Sequence, residues 1–275
     1  MTETDNKHNE YNINYTTPDG NPVPVEVDQI DERLEFTVGG PPTSVETSGT
    51  LPITTLEFAG PRVKADVGSR ASGQLESVDA RSVSKSFDLR LDGTSGSVSE
   101  RTIQGAEEAP NSIYLRDDEA ARNIVRTGDK DDEIFMGPKG GTVDAGKGRN
   151  HITGGDGIDE IIIKQGYSGF LNHLASETTV RDFTPGQDKV KLEVQNNGWV
   201  STEEQAAIDA LPQMLSLPKQ YEAAKKVAGV DKGEVFILPR GQLNYLAVHN
   251  GEGDDSAATI IGLDARPLLT DVVLG

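Results

Sequence analysis

Residues 127 to 162 consist of four consecutive nine-residue units, TGDKDDEIF, MGPKGGTVD, AGKGRNHIT and GGDGIDEII. Each unit starts with a turn-rich half and leads to a branched aliphatic residue at its eighth position, which is Ile134, Val143, Ile152 or Ile161. A repeat of this length indicates a coil in which every unit buries one aliphatic side chain on a short strand and then turns. Two units make one turn of the coil, so residues 18 apart are predicted to stack.

The sixth position of each unit carries Asp132, Gly141, Asn150 or Asp159. Stacking places Asp132 over Asn150 on one edge of the coil and Gly141 over Asp159 on the other. Each carboxylate is expected to point at the turn of the next coil, and the turn glycines are expected to tolerate positive φ and to bring backbones close together. Such turns offer carboxylate and carbonyl oxygens to a hard cation, and Ca²⁺ accepts six to eight oxygens without strict geometry.

The repeat region is also rich in acidic residues. Its 36 residues include Asp129, Asp131, Asp132, Glu133, Asp144, Asp156, Asp159 and Glu160. Like charges stacked this closely repel each other unless a cation lies between them. The alternative is a β-protein that has glycine-rich turns and no metal.

The fourth unit, from Gly154 to Ile162, resembles the nonapeptide repeat of the RTX family of secreted calcium-binding proteins. The other units depart from it, with Lys130 and Lys139 in place of glycine at the fourth position and Gly141 in place of a carboxylate at the sixth. Farther along, VRDFTPGQDKV at 180–190 looks like the segment that closes such coils. The repeat and the resemblance together assign the metal ligands to the side chains of Asp129, Asp132, Asn150, Asp156, Asp159, Asp182 and Asp188 and to the turn glycines Gly128, Gly137, Gly146, Gly148, Gly155 and Gly157. The degenerate units imply fewer than four strong calcium sites.

Two further segments extend the resemblance. VDARSVSKSFDLRLDG at 78–93 looks like the irregular rungs of RTX surface-layer and adhesin proteins, and AATIIGLDARPLLTDVVLG at 257–275 resembles their uncleaved export signal. The amino terminus has neither a basic start nor an apolar run, so no N-terminal signal peptide is predicted. The resemblance therefore implies export by a type I secretion machine to the extracellular space or the cell surface.

The overall charge supports a calcium-dependent chain. With 45 acidic and 26 basic residues the net charge is −19, which disfavours nucleic acids and anionic membranes as partners. No stretch approaches the roughly 18 apolar residues of a membrane span. The chain has no cysteine, so neither disulfides nor thiol chemistry are available. Such acidity favours an expanded chain until cations neutralise it, so calcium binding is expected to drive folding.

The predicted fold is mostly β, with a short calcium-binding parallel β-roll or β-helix flanked by irregular β-structure and by a C-terminal β-rich cap with one or two short helices. Four regions are expected: a flexible tail or donor strand at 1–20, irregular solenoid-like β-structure at 21–125, the β-roll at 126–165, and the capping and secretion-signal domain at 166–275.

In the tail, the alternation of Tyr11, Ile13 and Tyr15 with asparagines predicts a strand that either folds back onto its own domain or pairs with a neighbouring molecule. In the cap, Ser201 and Glu204 have the capping-box spacing and predict a helix at about 202–211, and KQYEAAKKVA after Pro218 predicts a second.

The sequence shows no catalytic signature. It lacks the His-Glu-x-x-His of zinc proteases and the Gly-x-Ser-x-Gly of hydrolases, and a phosphate-loop-like run from Gly141 to Lys147 is followed by Gly148 instead of serine or threonine. We therefore predict that the protein is not an enzyme, although counting acidic pairs does not exclude a glycosidase.

The predicted function is that of a secreted calcium-binding structural protein that folds outside the cell and self-assembles, as a homo-oligomer or polymer with β-strand contacts, into a surface layer, filament or biofilm matrix. The alternative is a monomeric calcium-dependent adhesin, for which cell-surface polysaccharide is a candidate partner. A secreted enzyme or toxin is a weaker alternative.

Overall fold

The structure is a computed structural model of the 275-residue chain. It describes the backbone of residues 12–16, 25–30, 33–38 and 258, and both backbone and side chains of residues 54–67, 75–93, 97–164, 178–250 and 259–275. Tyr11 and the remainder of the predicted tail before it lie outside the described residues, as does the turn at 17–20.

The chain is mostly β, as the sequence predicts. Its strands are β1 (Asn12–Thr16), β2 (Val25–Ile30), β3 (Arg33–Val38), β4 (Thr55–Val67), β5 (Ser77–Gly93), β6 (Glu100–Gln104), β7 (Asn111–Asp118), β8 (Arg122–Arg126), β9 (Glu133–Phe135), β10 (Gly141–Asp144), β11 (His151–Thr153), β12 (Asp159–Lys164), β13 (Thr178–Arg181), β14 (Lys189–Glu193), β15 (Gly198–Trp199), β16 (Glu234–Arg240), β17 (Leu243–His249), β18 (Ala258–Leu263) and β19 (Val272–Leu274). Two α-helices, α1 (Thr202–Asp209) and α2 (Leu217–Ala228), and a 3₁₀ turn at Leu269–Asp271 complete the described elements.

From β5 to β12, each strand pairs in parallel with the strand after the next, and β13 and β14 pair in parallel with β18 and β19. One row runs β6–β8–β10–β12–β14–β19, and the other runs β5–β7–β9–β11–β13–β18. Within the repeat the partners are 18 residues apart, as in Gly141 opposite Asp159 and Glu133 opposite His151. The predicted stacking is therefore confirmed.

The repeat's aliphatic residues explain why the two rows hold together. All four are at most 1% exposed: Ile134, Val143, Ile152 and Ile161. They belong to one core cluster that contains residues from both rows. Burying one such side chain contributes about 1.5–3 kcal/mol, so four of them in successive units specify the register of the coil.

At the amino-terminal side, β5 joins the two rows. Its first residues pair with β6 and its later residues pair with β7, so the strand belongs to both. Next to it, β4 pairs with β5 and β3 in parallel and with β1 in antiparallel orientation, with Asn12 opposite Ala59. The strand predicted in the tail thus pairs within its own chain, which is the fold-back alternative.

The carboxyl-terminal part packs two helices on an antiparallel meander of β16, β17 and β18. Both bonds of the predicted capping box are present: the Glu204 N–H donates to Ser201 Oγ over 3.2 Å, and the Ser201 N–H donates to Glu204 Oε2 over 2.6 Å. The first helix ends at Asp209, two residues before the predicted end, because Pro212 disfavours helical backbone at the residue before it. The second ends at Ala228 and is capped by Gly229, whose φ of 68° suits glycine.

The segment that resembles an export signal is part of the folded structure. It supplies β18, which pairs with β13, and β19, which pairs with β14, so it adds a strand to each row. None of the described helices is long and apolar enough to cross a membrane.

Candidate metal site

On the first edge of the coil, the sixth-position side chains form a ladder. Asn150 Oδ1 accepts a hydrogen bond from the Asp132 N–H over 3.1 Å, and Asp132 Oδ1 accepts from the Asn111 backbone N–H and from Asn111 Nδ2, both over 2.8 Å. Each side chain therefore reaches back to the preceding coil. The prediction that the carboxylates point at the next coil is wrong, because the backbone N–H groups at these turns face the later coil and need an acceptor from it.

On the second edge, two buried carboxylates follow one another. Asp188 Oδ1 accepts from the Asp159 N–H over 3.0 Å, and Asp188 Oδ2 accepts from the Thr184 N–H over 2.7 Å. Asp159 Oδ2 in turn accepts from the Gly155 N–H over 2.9 Å. The side chains of Asp159 and Asp188 are 1% and 2% exposed, so the two charges lie in the interior with backbone N–H groups as their donors.

The turn glycines are needed for two different reasons. Gly146 and Gly148 have φ values of 64° and 95°, in the left-handed region, as predicted. For the other four predicted positions, Gly128, Gly137, Gly155 and Gly157, φ lies outside that region, so positive φ is not the reason for them. There the reason is close approach: a β-carbon on Gly155, for example, would overlap the carbonyl oxygen of Gly137 in the coil before it.

The predicted ligand Asp129 and its neighbour Asp131, which was not among the predicted ligands, are exposed and already paired with basic residues. Lys147 Nζ lies 2.7 Å from Asp129 Oδ2, with both side chains about half exposed, and an 18-residue spacing puts them on successive coils. The same spacing brings Arg149 to 3.3 Å from Asp131. Repulsion between stacked acids is thus relieved at these positions by cations of the protein, and Asp129 is not part of the buried stack.

Asp156 and Asp182 are also outside the buried stack. The Asp182 side chain is 61% exposed and lies 3.5 Å from Arg116, while its backbone adopts a φ of 58°. Asp156 is exposed, and its carbonyl oxygen accepts from Gln187 Nε2 over 2.9 Å. The two carboxylates line one surface cavity, together with Arg116 and Gln187.

Asparagine side chains occupy the centres of some turns. Asn150 Nδ2 donates to the carbonyl oxygens of Ala145, Gly146 and Lys147 over 3.1–3.3 Å. The amide therefore sits among the oxygens that a cation would otherwise gather, and Asn150 acts as the closing group of its turn. Asn111 does the same earlier in the coil, with Nδ2 donating to Ala106 O and Ala109 O.

Three carboxylate oxygens in the coil have no such partner. Among the buried side-chain atoms that the structure describes, Asp132 Oδ2, Asp144 Oδ1 and Asp159 Oδ1 lack a hydrogen bond, and Asp144 is paired through its other oxygen with Lys164. Burial raises the pKa of Asp132 to about 6, against the hydrogen bonds from Asn111. Burial raises the pKa of Asp159 to about 7, and the negative charge of Asp188 raises it further, against the N–H donor of Gly155. A buried carboxyl of this kind either takes up a proton or requires a cation.

Three oxygens lie close together around Gly154, next to Asp159. Beside Gly154, the position a β-carbon would take lies 3.0 Å from Asp159 Oδ2, 3.2 Å from the Asp182 carbonyl oxygen and 3.5 Å from the Arg181 carbonyl oxygen. Among the described residues there is no group of three or more His, Cys, Asp or Glu side chains close enough to share a metal. A cation at this turn would therefore take its remaining oxygens from the backbone, which Ca²⁺ accepts readily.

Sequence comparisons add no family assignment: no model of a known protein family matches the chain, and a search of curated proteins found no significant match. The resemblance to RTX repeats thus rests on the residues of the repeat and of its closing segment.

Sequence reasoning missed the residues that close the earlier turns. Asn123 pairs with Gly141 in the β8–β10 register, 18 residues before it, and Asn111 bonds to Asp132, 21 residues after it. Extending the 18-residue spacing toward the amino terminus would have found Asn123. The 21-residue step to Asn111 breaks the period, so the repeat gives no signal for it.

Proposed function

We propose that the protein is a secreted calcium-binding structural protein whose coil is a parallel β-roll of the RTX type and whose folding is completed by Ca²⁺. The observation that carries this proposal is the second edge of the coil. There the Asp159 carboxylate is buried, one of its oxygens has no hydrogen-bond partner, and Asp188 adds a second buried negative charge.

The chemistry of the turn favours calcium over other common metals. The three atoms nearest the position that a β-carbon would take on Gly154 are oxygens, from the Asp159 carboxylate and from the carbonyls of Asp182 and Arg181. Zinc and copper prefer nitrogen and sulfur ligands, and Mg²⁺ demands near-ideal octahedral geometry and keeps several waters. Ca²⁺ accepts irregular sets of carbonyl and carboxylate oxygens.

In the proposed mechanism, the protein folds only where the calcium concentration is high, which is outside the cell. Without a cation the folded state must keep Asp159 protonated or accept an uncompensated buried charge, and both options destabilise it near neutral pH. Extracellular calcium modules bind at about 10⁻⁴ to 10⁻³ M, a concentration that the inside of a cell does not reach. Calcium outside the cell would bind only the folded state and stabilise it by mass action.

Two features of the fold support a structural role: exposed aliphatic side chains at one end and a strand added to the sheet at the other. Exposed aliphatic side chains, Leu268, Leu269 and Val273, are 43–62% exposed and lie in or beside β19, at the end of one row of strands. The β1 strand already adds to β4 in antiparallel orientation within the chain, so the sheet accepts an added strand at that side. We propose assembly into a surface layer, filament or matrix through such strand contacts.

The alternative function is a monomeric adhesin. The outer face of the row that contains β7 and β9 carries Tyr114 and Phe135 with ring centroids 5.4 Å apart, and the Arg90 guanidinium lies 5.3 Å from the Tyr114 centroid. The Arg90 guanidinium is also paired with Asp117 over 3.0 Å, so the two aromatic rings are the groups on this face that suit a polysaccharide.

Sedimentation velocity in EGTA and in about 5 mM Ca²⁺, above the expected affinities, separates these functions. Compaction followed by large species supports the structural subunit, and compaction to a stable monomer supports the adhesin. Unchanged sedimentation would refute the calcium proposal.

A second experiment removes residues 1–20. If β1 is exchanged between copies, this variant should still become compact with calcium but should form no large species. Large species that persist would exclude assembly by exchange of β1.

A further inference from the structure

We infer that the amino-terminal coils are held closed by the protein's own amide and guanidinium groups, and that they form a metal-independent template on which calcium completes the later coils. The inference rests on the proposed function for the calcium response of the later coils. Its own basis is a difference between the buried polar groups around β6, β7 and β8 and those around β12 and β14.

The first element of this template is a buried guanidinium. Arg101 is 0% exposed, and it donates from Nε to the Leu75 carbonyl over 2.7 Å and from Nη1 to Asp118 and to Asn123 Oδ1. Asp118, also 0% exposed, thereby has an internal cation as its partner. Removing one partner of a buried ion pair is strongly destabilising, so the pair holds β6, β7 and β8 in one arrangement.

The guanidinium lies on the same edge as the proposed calcium site. Asn123, which contacts Arg101, stands opposite Gly141, and Gly141 stands opposite Asp159 in the next coil. One edge of the coil thus carries a protein cation at its amino-terminal end. Three and four strands farther along the same row it carries two buried carboxylates, those of Asp159 and Asp188.

The second element is closure by amides. Asn123 Nδ2 donates to the Ala121 carbonyl and to Asp118 Oδ2, and Asn111 Nδ2 donates to two carbonyls of its own turn and to Asp132 Oδ1. These donors are neutral and always present, so the turns that they close do not depend on ion concentration. Asp132 therefore has Asn111 as its donor, through both the side-chain amide and the backbone N–H. Asp159 accepts from the Gly155 backbone N–H and has the carboxylate of Asp188 nearby.

The expected consequence is a divided calcium response. Strands β5 to β8 should keep their hydrogen bonds in EGTA, whereas β12 and β14 should gain protection when calcium binds. At 5 mM Ca²⁺ and a dissociation constant of about 10⁻³ to 10⁻⁴ M, mass action gives the later strands about 5- to 50-fold slower exchange.

Hydrogen–deuterium exchange by mass spectrometry on the full chain, in EGTA and in 5 mM CaCl₂, tests this directly. Protection of peptides from 87–126 in both conditions, with calcium-dependent protection at 159–164 and 189–193, supports the inference. If both regions exchange freely in EGTA and both become protected with calcium, the template is wrong while calcium-driven folding stands. If both regions are protected in EGTA and calcium changes neither, the inference and the calcium proposal both fail.

A variant sharpens the test. Asn111→Asp would place a second carboxylate beside Asp132, as Asp188 stands beside Asp159, and should make protection of β7 and β9 depend on calcium. Asn197→Asp is the matched control, because Asn197 is exposed and its amide bonds to the Lys232 carbonyl and to no carboxylate of the described residues. If β7 and β9 stay protected in EGTA in the Asn111→Asp variant, the amide of Asn111 does not close this turn. If the variant does not fold, the exchange pattern of the wild-type protein decides the inference.

Discussion

Replacing Asp159 with asparagine should convert a turn that needs a cation into one that closes on its own amide. Asn150 provides the precedent at the same position of the preceding unit, where its Nδ2 donates to three turn carbonyls. In Asp159→Asn the side-chain oxygen can still accept from the Gly155 N–H, and the new amide can donate to the carbonyls of its turn. The metal-free protein should therefore become more stable.

The pKa of Asp159 sets the size of the expected gain in stability. A folded pKa of about 7 against an ordinary value of 3.8 corresponds to about 4 kcal/mol of destabilisation at pH 7.5 without calcium. The folded state holds the proton more tightly than the unfolded state, so this destabilisation is absent below pH 3.8 and grows as pH rises to about 7. The Asp159→Asn variant should lose this part of the pH dependence and gain up to about 4 kcal/mol in EGTA at pH 7.5.

Urea unfolding followed by circular dichroism, with and without 5 mM CaCl₂ at pH 5 and pH 7.5, measures these quantities. Wild type should gain about 1–2 kcal/mol from calcium at pH 7.5, and Asp159→Asn should gain much less. Asp129→Asn is the control, because Asp129 is exposed and should change stability by no more than about 0.5 kcal/mol. An Asp159→Asn variant that is less stable than wild type in EGTA, or that keeps the full calcium effect, would refute the reasoning.

Three further substitutions test other parts of the structure. Asn150→Asp should destabilise the protein in EGTA by about 2–4 kcal/mol and create a calcium-dependent recovery, measured by the same unfolding assay; a stability unchanged in EGTA would contradict the role of the amide. Gly155→Ala, which overlaps the Gly137 carbonyl, should cost about 3 kcal/mol or more, whereas Gly241→Ala, with a φ of 62° and open space, should cost about 1–2 kcal/mol; equal melting temperatures would contradict the steric argument. Ser201→Ala should cost about 1 kcal/mol through loss of the capping box, and a change below about 0.3 kcal/mol in thermal unfolding would show that the cap contributes little.

The sequence predicted the features that depend on a strict period or on a local signal. The 18-residue stacking and the burial of Ile134 and Ile161 follow from a side-chain pattern that repeats in every unit. The capping box at Ser201 depends on residues three apart, so it could be predicted without knowledge of tertiary contacts. Both kinds of signal are contained in a short window of sequence.

The finer details of the candidate site depend on contacts between coils. The pairing of Asp129 with Lys147 could have been predicted, since an acid and a base stand 18 residues apart at stacked positions. The burial of Arg101 carries no such signal, because its partners Leu75 and Asp118 are 26 and 17 residues away and follow no period. For the same reason, the sequence alone did not separate the buried carboxyl of Asp159 from the exposed ligand candidates.

The amide closure of the Asn150 turn also bears on how the protein ages. An asparagine deamidates when the backbone nitrogen of the following residue attacks the side-chain carbonyl, and Asn residues are among the thermolabile ones for this reason. Here the following residue is His151, whose N–H is held by the Asp132 carbonyl over 2.8 Å, and the Asn150 amide is fixed by three carbonyls. The folded coil therefore protects this asparagine from a reaction to which the unfolded chain is open, so chemical damage at Asn150 should accumulate in molecules that have spent longest unfolded.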